Sequence, residues 1–438
     1  MQTFNKNYSD IIKILLFTLL IFFWDLSIKT FDTKLLLFLL IIFFDFKILK
    51  LDKYKKILIY FSLFFIFISV HYYYNLFLDD ENLFFIPKNL IYIFLLFLVI
   101  LFNLEFLRNN LKSIITLFIV TYVLATIIYF IINGYNQKFD LSCTYTGGWH
   151  GYTKFLFLEN SHFVMMSVAT IIFYFIGNDL RKNFIIKNIF IFIFLIMAII
   201  NFSGVFIVAI VLSLSALLIS NYKYFTRQSL VFTLLLFSFS GFFLLYEKEC
   251  NYKIMKAQAA LIKPILEKYP LFKKIDKSVQ SYINSTQNSS DTKNKEIKLG
   301  MSGAVFLNSI NIAKTTILDR PLGWGLDRYE MAYNKYAIND RQKYNLENYH
   351  YRLFDWNLNS KDGSNNLAKL ITEFGLFSFI LLIYFIYFSF SKKATFQEKS
   401  FLIPLVLTQL LRGAGYYNGG FLICIILMLA ISLSKLDD

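Results

Sequence analysis

The sequence predicts an all-α, polytopic membrane protein with about 12 transmembrane helices and one large helical loop on a single face. Three observations carry this expectation: an apolar composition, apolar runs of membrane-crossing length, and basic residues confined to alternate loops. Of the 438 residues 57% are hydrophobic, and the 52 phenylalanines exceed what a soluble core of this length uses. Abundant Phe, Ile, Lys and Asn beside only 17 Gly and 5 Pro fit an AT-rich genome, so the aromatic excess carries no functional weight. Cys143, Cys250 and Cys424 lie far apart, without metal-ligand spacing or an even count for a disulfide framework. The net charge of +15 is spread among apolar spans rather than gathered into a patch, which argues against nucleic acid as a partner.

Apolar windows fall near 10–24, 33–47, 57–71, 83–104, 113–133, 161–177, 184–200, 203–220, 229–246, 367–390, 400–413 and 417–434. Each approaches the roughly 20 residues needed to cross about 30 Å of hydrocarbon. The first is followed by Asp25 and Lys29 with no small-residue cleavage motif, so it is expected to be retained as a span. The loops after even-numbered spans carry Lys47, Lys50, Lys53, Lys55 and Lys56; Arg108 and Lys112; Arg181, Lys182 and Lys187; Lys223 and Arg227; and Lys392, Lys393 and Lys399. By the positive-inside rule these face the cytoplasm, as do both termini. The turn Asp79-Asp80-Glu81 and the segments 134–160 and 247–366 then lie outside.

The expected organisation is nine spans over 1–246, a loop domain over 247–366, and three spans over 367–438. The first third of the loop has apolar residues at helical spacing with abundant Lys, which suits a helix lying on the membrane surface. "NSTQNSSDTKNKEIK" reads as a polar linker, "AVFLNSINIAKTTIL" as a further helix, and "DRPLGWGLDRY" as its break at Pro321, Gly323 and Gly325.

Transport is the ordinary work of a protein with this many spans, and it calls for ionisable residues or helix breaks at the bilayer midplane. Here the span interiors are nearly clean. The polar constellations gather at outer ends instead, which favours chemistry at the outer leaflet. Glu159 and His162 stand three residues apart at the head of a span, close enough to share a proton, behind a glycine-rich loop containing Trp149 and His150. Arg320 and Arg328 flank a glycine turn bearing Trp324; guanidinium forks match phosphate oxygens, and an indole stacks on a sugar ring. Glu373 lies two or three turns into a helix capped by Ser364 or Asn365, and a carboxylate at that depth needs an arginine from another segment or a polar cavity. Arg412 ends a span beside Gly413 and Gly415, and His350 in "NYHYRLFDW" is a reserve base. No cluster has metal-ligand geometry, so no metal or cofactor is expected, and Asp79 and Asp80 read as outer-loop charge.

Taken in order, four of these stretches, the last being "LLRGAGYYNGG" around Arg412, resemble the bacterial O-antigen polymerase and O-antigen ligase superfamily. "GYTKFLFLENSHF" is similar to the polymerases' Gly followed by Glu-Pro-Ser-His, with Asn160 replacing Pro. "RPLGWGLDRY" resembles the shared Pro-x-x-Gly-x-Gly turn late in the large periplasmic loop, and "SNNLAKLITEFGLFSF" the segment entering the next span. Ser364 stands where the ligases carry a histidine, and the arginine usual near "SGAVFLN" is missing. The resemblance implies a polymerase in the bacterial inner membrane that joins undecaprenyl-diphosphate-linked oligosaccharides at the periplasmic face, with a chain-length regulator as a possible partner. It implies Arg412 and Arg320, supported by Arg328, on the diphosphate, and Glu159 or His162 on the acceptor hydroxyl. Ligase and flippase are the alternatives.

Overall fold

The computed structural model describes residues 8–22, 27–28, 31–45, 51–79, 88–134, 160–176, 189–200, 204–221, 301–337, 360–361, 363, 365–413, 416 and 419–433. Regular structure there is helical apart from one short hairpin. The helices are α1 (Tyr8–Phe22), α2 (Thr33–Asp45), α3 (Leu51–Leu78), α4 (Lys88–Gly134), α5 (Asn160–Phe175), α6 (Ile189–Ile200), α7 (Gly204–Asn221), α8 (Met301–Asp319), α9 (Tyr329–Tyr336), α10 (Asn366–Phe374), α11 (Phe377–Ser389), α12 (Phe396–Leu411) and α13 (Gly419–Leu433). The hairpin pairs β1 (Ser27–Ile28) antiparallel with β2 (Phe31–Asp32), Ser27 opposite Asp32.

Helices α1, α2, α5, α6, α7, α12 and α13 fall on apolar windows of the sequence to within a few residues, and α8 covers the run expected to be helical. Two helices are long and apolar enough to cross a membrane, over Phe61–Leu78 in α3 and Leu90–Ile128 in α4. Shorter apolar helices include Leu35–Phe44, Phe163–Phe175, Val208–Ser220 and Gly420–Ser432. The expected span 229–246 lies outside the described residues, as does most of the loop segment 247–366.

Three of the expected spans are redrawn, in two places. The windows 83–104 and 113–133 do not form separate spans: residues 88–134 are one helix of 47 residues, and Arg108 and Lys112 lie inside it rather than in a loop. The physical reason is the absence of a breaker. "NLEFLRNNLKSI" has neither Gly nor Pro, and the Asn103 and Asn110 amides fold back onto the Val99 and Phe106 carbonyls, each at 3.0 Å, without ending the helix. Arg108 is neutralised where it stands by Glu398 at the start of α12, forming a two-pronged pair through Nε and Nη2. Glu398 also closes a capping box: its carboxylate accepts from the Thr395 N–H at 2.7 Å while Thr395 Oγ1 accepts from the Glu398 N–H at 3.2 Å.

The window 367–390 is the second case. It is two helices, α10 and α11, broken at Gly375, whose φ is +54°. The first half is short and strongly amphipathic, and does not belong to a continuous span.

Packing joins the N-terminal and C-terminal halves. Helix α12 lies against α5 and α7, and α4 against α1, α2 and α13. Thr408 Oγ1 of α12 donates to the Met165 carbonyl of α5 at 3.0 Å. Tyr122, Phe118, Phe163 and Phe194 from α4, α5 and α6 form a fully buried aromatic cluster with ring centroids 4.6 to 6.4 Å apart. Helices α8, α9 and α10 make a smaller group that meets α12 through α10.

The continuity of α4 has a direct test. Nitroxide labels at the exposed positions Phe94 and Leu124 are separated by about 45 Å along one helix at ~1.5 Å per residue. Two spans joined by a turn near Arg108 would bring the labels within about 20 Å, helices packing 8–10 Å apart. Dipolar electron spin resonance distinguishes the two, and the long distance is expected.

Candidate functional site

The stretch Arg320-Pro-Leu-Gly-Trp-Gly-Leu-Asp-Arg328 forms two consecutive tight turns. Gly323 N–H bonds back to the Arg320 carbonyl at 2.8 Å, and Arg328 N–H to the Gly325 carbonyl at 3.3 Å. Three alternate residues have positive φ: Gly323 at 84°, Gly325 at 96° and Asp327 at 61°. Glycine takes that conformation without cost and aspartate tolerates it, which accounts for the Gly-x-Gly-x-Asp spacing.

This double turn caps the C-terminus of α10. A helix end leaves its last carbonyls without partners. Here the Trp324 N–H reaches the Thr372 carbonyl at 3.0 Å, the Gly325 N–H reaches that of Glu373 at 2.9 Å, and Gly375 N–H closes on Ile371 at 2.8 Å. The chain leaving α10 returns the contact, Leu376 N–H donating to the Pro321 carbonyl at 2.8 Å. The two backbones touch so closely that a Cβ on Gly323 would collide with the Glu373 carbonyl, and one on Gly375 with that of Pro321. We call this contact the clasp.

The start of α10 is fixed as firmly. Asn365 caps it, as expected, accepting from the Ala368 N–H at 2.7 Å and donating to Ser309 Oγ of α8 at 2.7 Å. Asn366 lies flush against Gly413, where a side chain has no room. Gly413 follows Arg412, which ends α12 with its N–H on the Thr408 carbonyl at 2.8 Å.

Helix α3 holds the clasp from the other side with a stripe of polar residues at i, i+4 and i+8: His71, Asn75 and Asp79. His71, 6% exposed, lies between the rings of Phe67 and Phe374, and its Nε2–H donates to the Leu322 carbonyl at 2.6 Å. Asn75 donates to the His71 carbonyl at 2.9 Å and lies against Gly325, where an added Cβ would meet it at 3.3 Å. Asp79, just past the end of α3, bridges both arginines. Arg320 grips it with two prongs, Nη2 to Oδ1 at 2.6 Å and Nη1 to Oδ2 at 3.1 Å, and Arg328 Nη2 reaches Oδ2 at 3.0 Å. The Arg320 fork, seconded by Arg328, holds the Asp79 carboxyl below the usual carboxylate range.

The structure thus brings Arg320, Trp324, Arg328 and the Glu373 backbone into one unit. Their environments differ from the sequence expectations. Trp324 is 5% exposed, with the Arg320 guanidinium 3.8 Å from its ring centroid and the Tyr336 ring edge-on at 5.8 Å. The indole expected to stack on a sugar therefore stacks on Arg320. Glu373 is wholly buried, and its ionic partner is not an arginine but Lys369 one turn earlier on α10, Nζ to Oε1 at 3.6 Å. Tyr416 and the Asp327 backbone lie alongside the carboxylate. Lys369, itself 6% exposed, also donates to the Lys361 carbonyl at 2.9 Å. His162 falls in the first turn of α5, while Glu159 and His350 lie outside the described residues.

The sequence reading placed a span at 57–71, inside α3, but missed the polar stripe on that helix. Asp79 was expected to be plain loop charge, whereas it is the carboxylate that joins the two arginines. The available signal was the spacing of His71, Asn75 and Asp79 on one face of an otherwise apolar helix. Among the described residues no group of three or more His, Cys, Asp or Glu side chains is placed to hold a metal ion. What the arrangement offers chemically is two guanidiniums fixed on a rigid turn, a geometry suited to phosphate oxygens.

The clasp predicts that Gly375→Ala destabilises the protein by about 3 kcal/mol, from the strained φ together with the collision on Pro321. Denaturant unfolding of the detergent-solubilised chain checks this, and a variant as stable as the parent contradicts the close approach. No protein-family model, curated protein or solved structure matches the chain.

Proposed function

We propose that this protein is a membrane glycosyltransferase that polymerises oligosaccharide repeat units carried on undecaprenyl diphosphate, working at the periplasmic face of the bacterial inner membrane. The observation that carries the proposal is the pair of arginines presented by the double turn, which is anchored through backbone bonds rather than left as a loop. A glycan diphosphate needs two things from a catalyst: charge stabilisation where the diphosphate departs, and orientation of two sugars. Guanidiniums on a rigid backbone supply the first. The likeness of "RPLGWGLDRY" and "SNNLAKLITEFGLFSF" to the polymerase and ligase superfamily supports the same assignment.

The membrane setting is supported by the long apolar helices α3 and α4 and by the outward side of α3, where Leu63, Ile66, Val70 and Phe77 are each more than half exposed. Water penalises such a surface and lipid does not.

In the proposed reaction Arg320, Arg328 and Arg412 hold the diphosphate of the donor. The bond from the donor's anomeric carbon to the diphosphate oxygen breaks, a bond from that carbon to the acceptor hydroxyl oxygen forms, and the hydroxyl proton passes to Glu159 or His162, with His350 in reserve. The diphosphate leaves as a stable anion on its lipid, so the step requires no cofactor. In the resting structure two of these cations, Arg320 and Arg328, are already held around one anion, the Asp79 carboxylate.

Glycan ladders test the proposal. Cells lacking the protein and complemented with Arg412→Ala or Glu159→Gln, at equal protein level, are expected to carry a single repeat unit on the lipid core in place of a ladder. An unchanged ladder contradicts those assignments. Deletion that leaves long chains on the lipid carrier indicates a ligase instead, and repeat units stranded on the cytoplasmic side indicate a flippase.

A further inference from the structure

Asp79 occupies the Arg320–Arg328 pair in the way a phosphate group would. Three charge-assisted contacts between 2.6 and 3.1 Å join one carboxylate to both guanidiniums. Two features make this an exchangeable anion rather than a permanent tie. First, Asp79 follows the last residue of α3, its N–H on the Asn75 carbonyl at 3.2 Å, where the negative end of the helix dipole opposes a carboxylate. The arginines offset that repulsion. Second, the Arg320 side chain is 22% exposed and Asp79 14%, so an incoming anion meets Arg320 first and reaches the 6%-exposed Arg328 as it takes the place of Asp79. Nothing in the clasp's backbone bonds involves either side chain.

We propose that Asp79 is a resident stand-in for the substrate's diphosphate: it holds Arg320 and Arg328 together in the free protein and is displaced when a diphosphate binds. This rests on the assignment of those arginines to a diphosphate. The physical logic is one of matched charge. Two guanidiniums held side by side repel each other, and a carboxylate between them keeps the pair assembled. A diphosphate brings more charge and more oxygens than a carboxylate, so it wins the exchange, and Asp79 sets the threshold an anion must exceed. Weak anions such as chloride or acetate do not meet it. Asp79 is therefore a positioning and selectivity residue, outside the bond-making step.

Trp324 reports the exchange, because the guanidinium that changes its anion, Arg320, lies 3.8 Å from the indole ring centroid. The test titrates the full chain in detergent with inorganic pyrophosphate and, separately, with farnesyl diphosphate. Asp79→Asn removes the competing charge and is expected to bind pyrophosphate about tenfold more tightly than the parent. Arg320→Ala added to Asp79→Asn abolishes the gain, and Asp79→Glu restores parent affinity. A folded Asp79→Asn that binds pyrophosphate no more tightly overturns the proposal. If Asp79→Asn does not fold, the parent decides: saturating pyrophosphate changes the tryptophan emission, and Trp324→Phe loses that change. Emission that stays constant at saturation overturns the exchange.

Farnesyl diphosphate binding more tightly than pyrophosphate assigns the anion to a lipid carrier; equal binding assigns it to diphosphate in general, and both keep Asp79 as the stand-in. Because pyrophosphate involves no glycan, failure here leaves the glycosyltransferase assignment to the ladders, and failure of the ladders leaves the exchange standing.

Discussion

Two backbone hydrogen bonds, from Trp324 and Gly325 to the carbonyls of Thr372 and Glu373, are the constraint on which the rest of the site depends. A helix that stops inside a protein must find donors for its last carbonyls. Helix α10 stops at Gly375 because a turn from a distant segment supplies them, and that turn needs positive φ at Gly323 and Gly325 to aim both N–H groups the same way. Everything charged nearby inherits its position from this contact. Arg320 and Arg328 flank the turn, Lys369 and Glu373 ride on α10, and α11 begins directly after the break.

The stripe on α3 shows how an apolar helix can carry polar side chains without losing stability. Its outward side is bare hydrocarbon, while His71 and Asn75 point into the protein and each finds a carbonyl. In a low-dielectric setting such bonds are stronger and their loss dearer, so the stripe fixes the register of α3 against the clasp. Asp79 extends the same face past the helix end, where Arg320 and Arg328 convert an unfavourable carboxylate into the link between two segments far apart in sequence. At 6% exposure Arg328 is offset by that carboxylate and by the Met331 sulfur its guanidinium also meets.

Much of the helical architecture was readable from apolar runs, since most described helices fall on windows of the right length. The exceptions have physical causes that hydropathy does not carry. Charge at Arg108 and Lys112 looked like a loop, but with no Gly or Pro nearby and Glu398 ready to pair, the helix runs on. Gly375 looked like one small residue within a span, and its break depends on Pro321 reaching it from another segment. The same division holds for the site. Arg320, Trp324, Arg328 and Glu373 stood out as polar groups at the ends of apolar stretches and do converge. Their partners did not stand out, because Asp79 and Lys369 become meaningful only once the clasp brings α3, the turn and α10 together.

Amide hydrogen exchange on the solubilised full chain measures the clasp most directly. Trp324 and Gly325 lie in a turn rich in glycine and would exchange at once if that turn were open. A peptide covering Gly323–Leu326 is expected to exchange as slowly as one covering α10, and His71→Ala, which removes the bond to Leu322, is expected to speed both together. Rapid exchange of the turn while α10 stays protected would contradict the clasp.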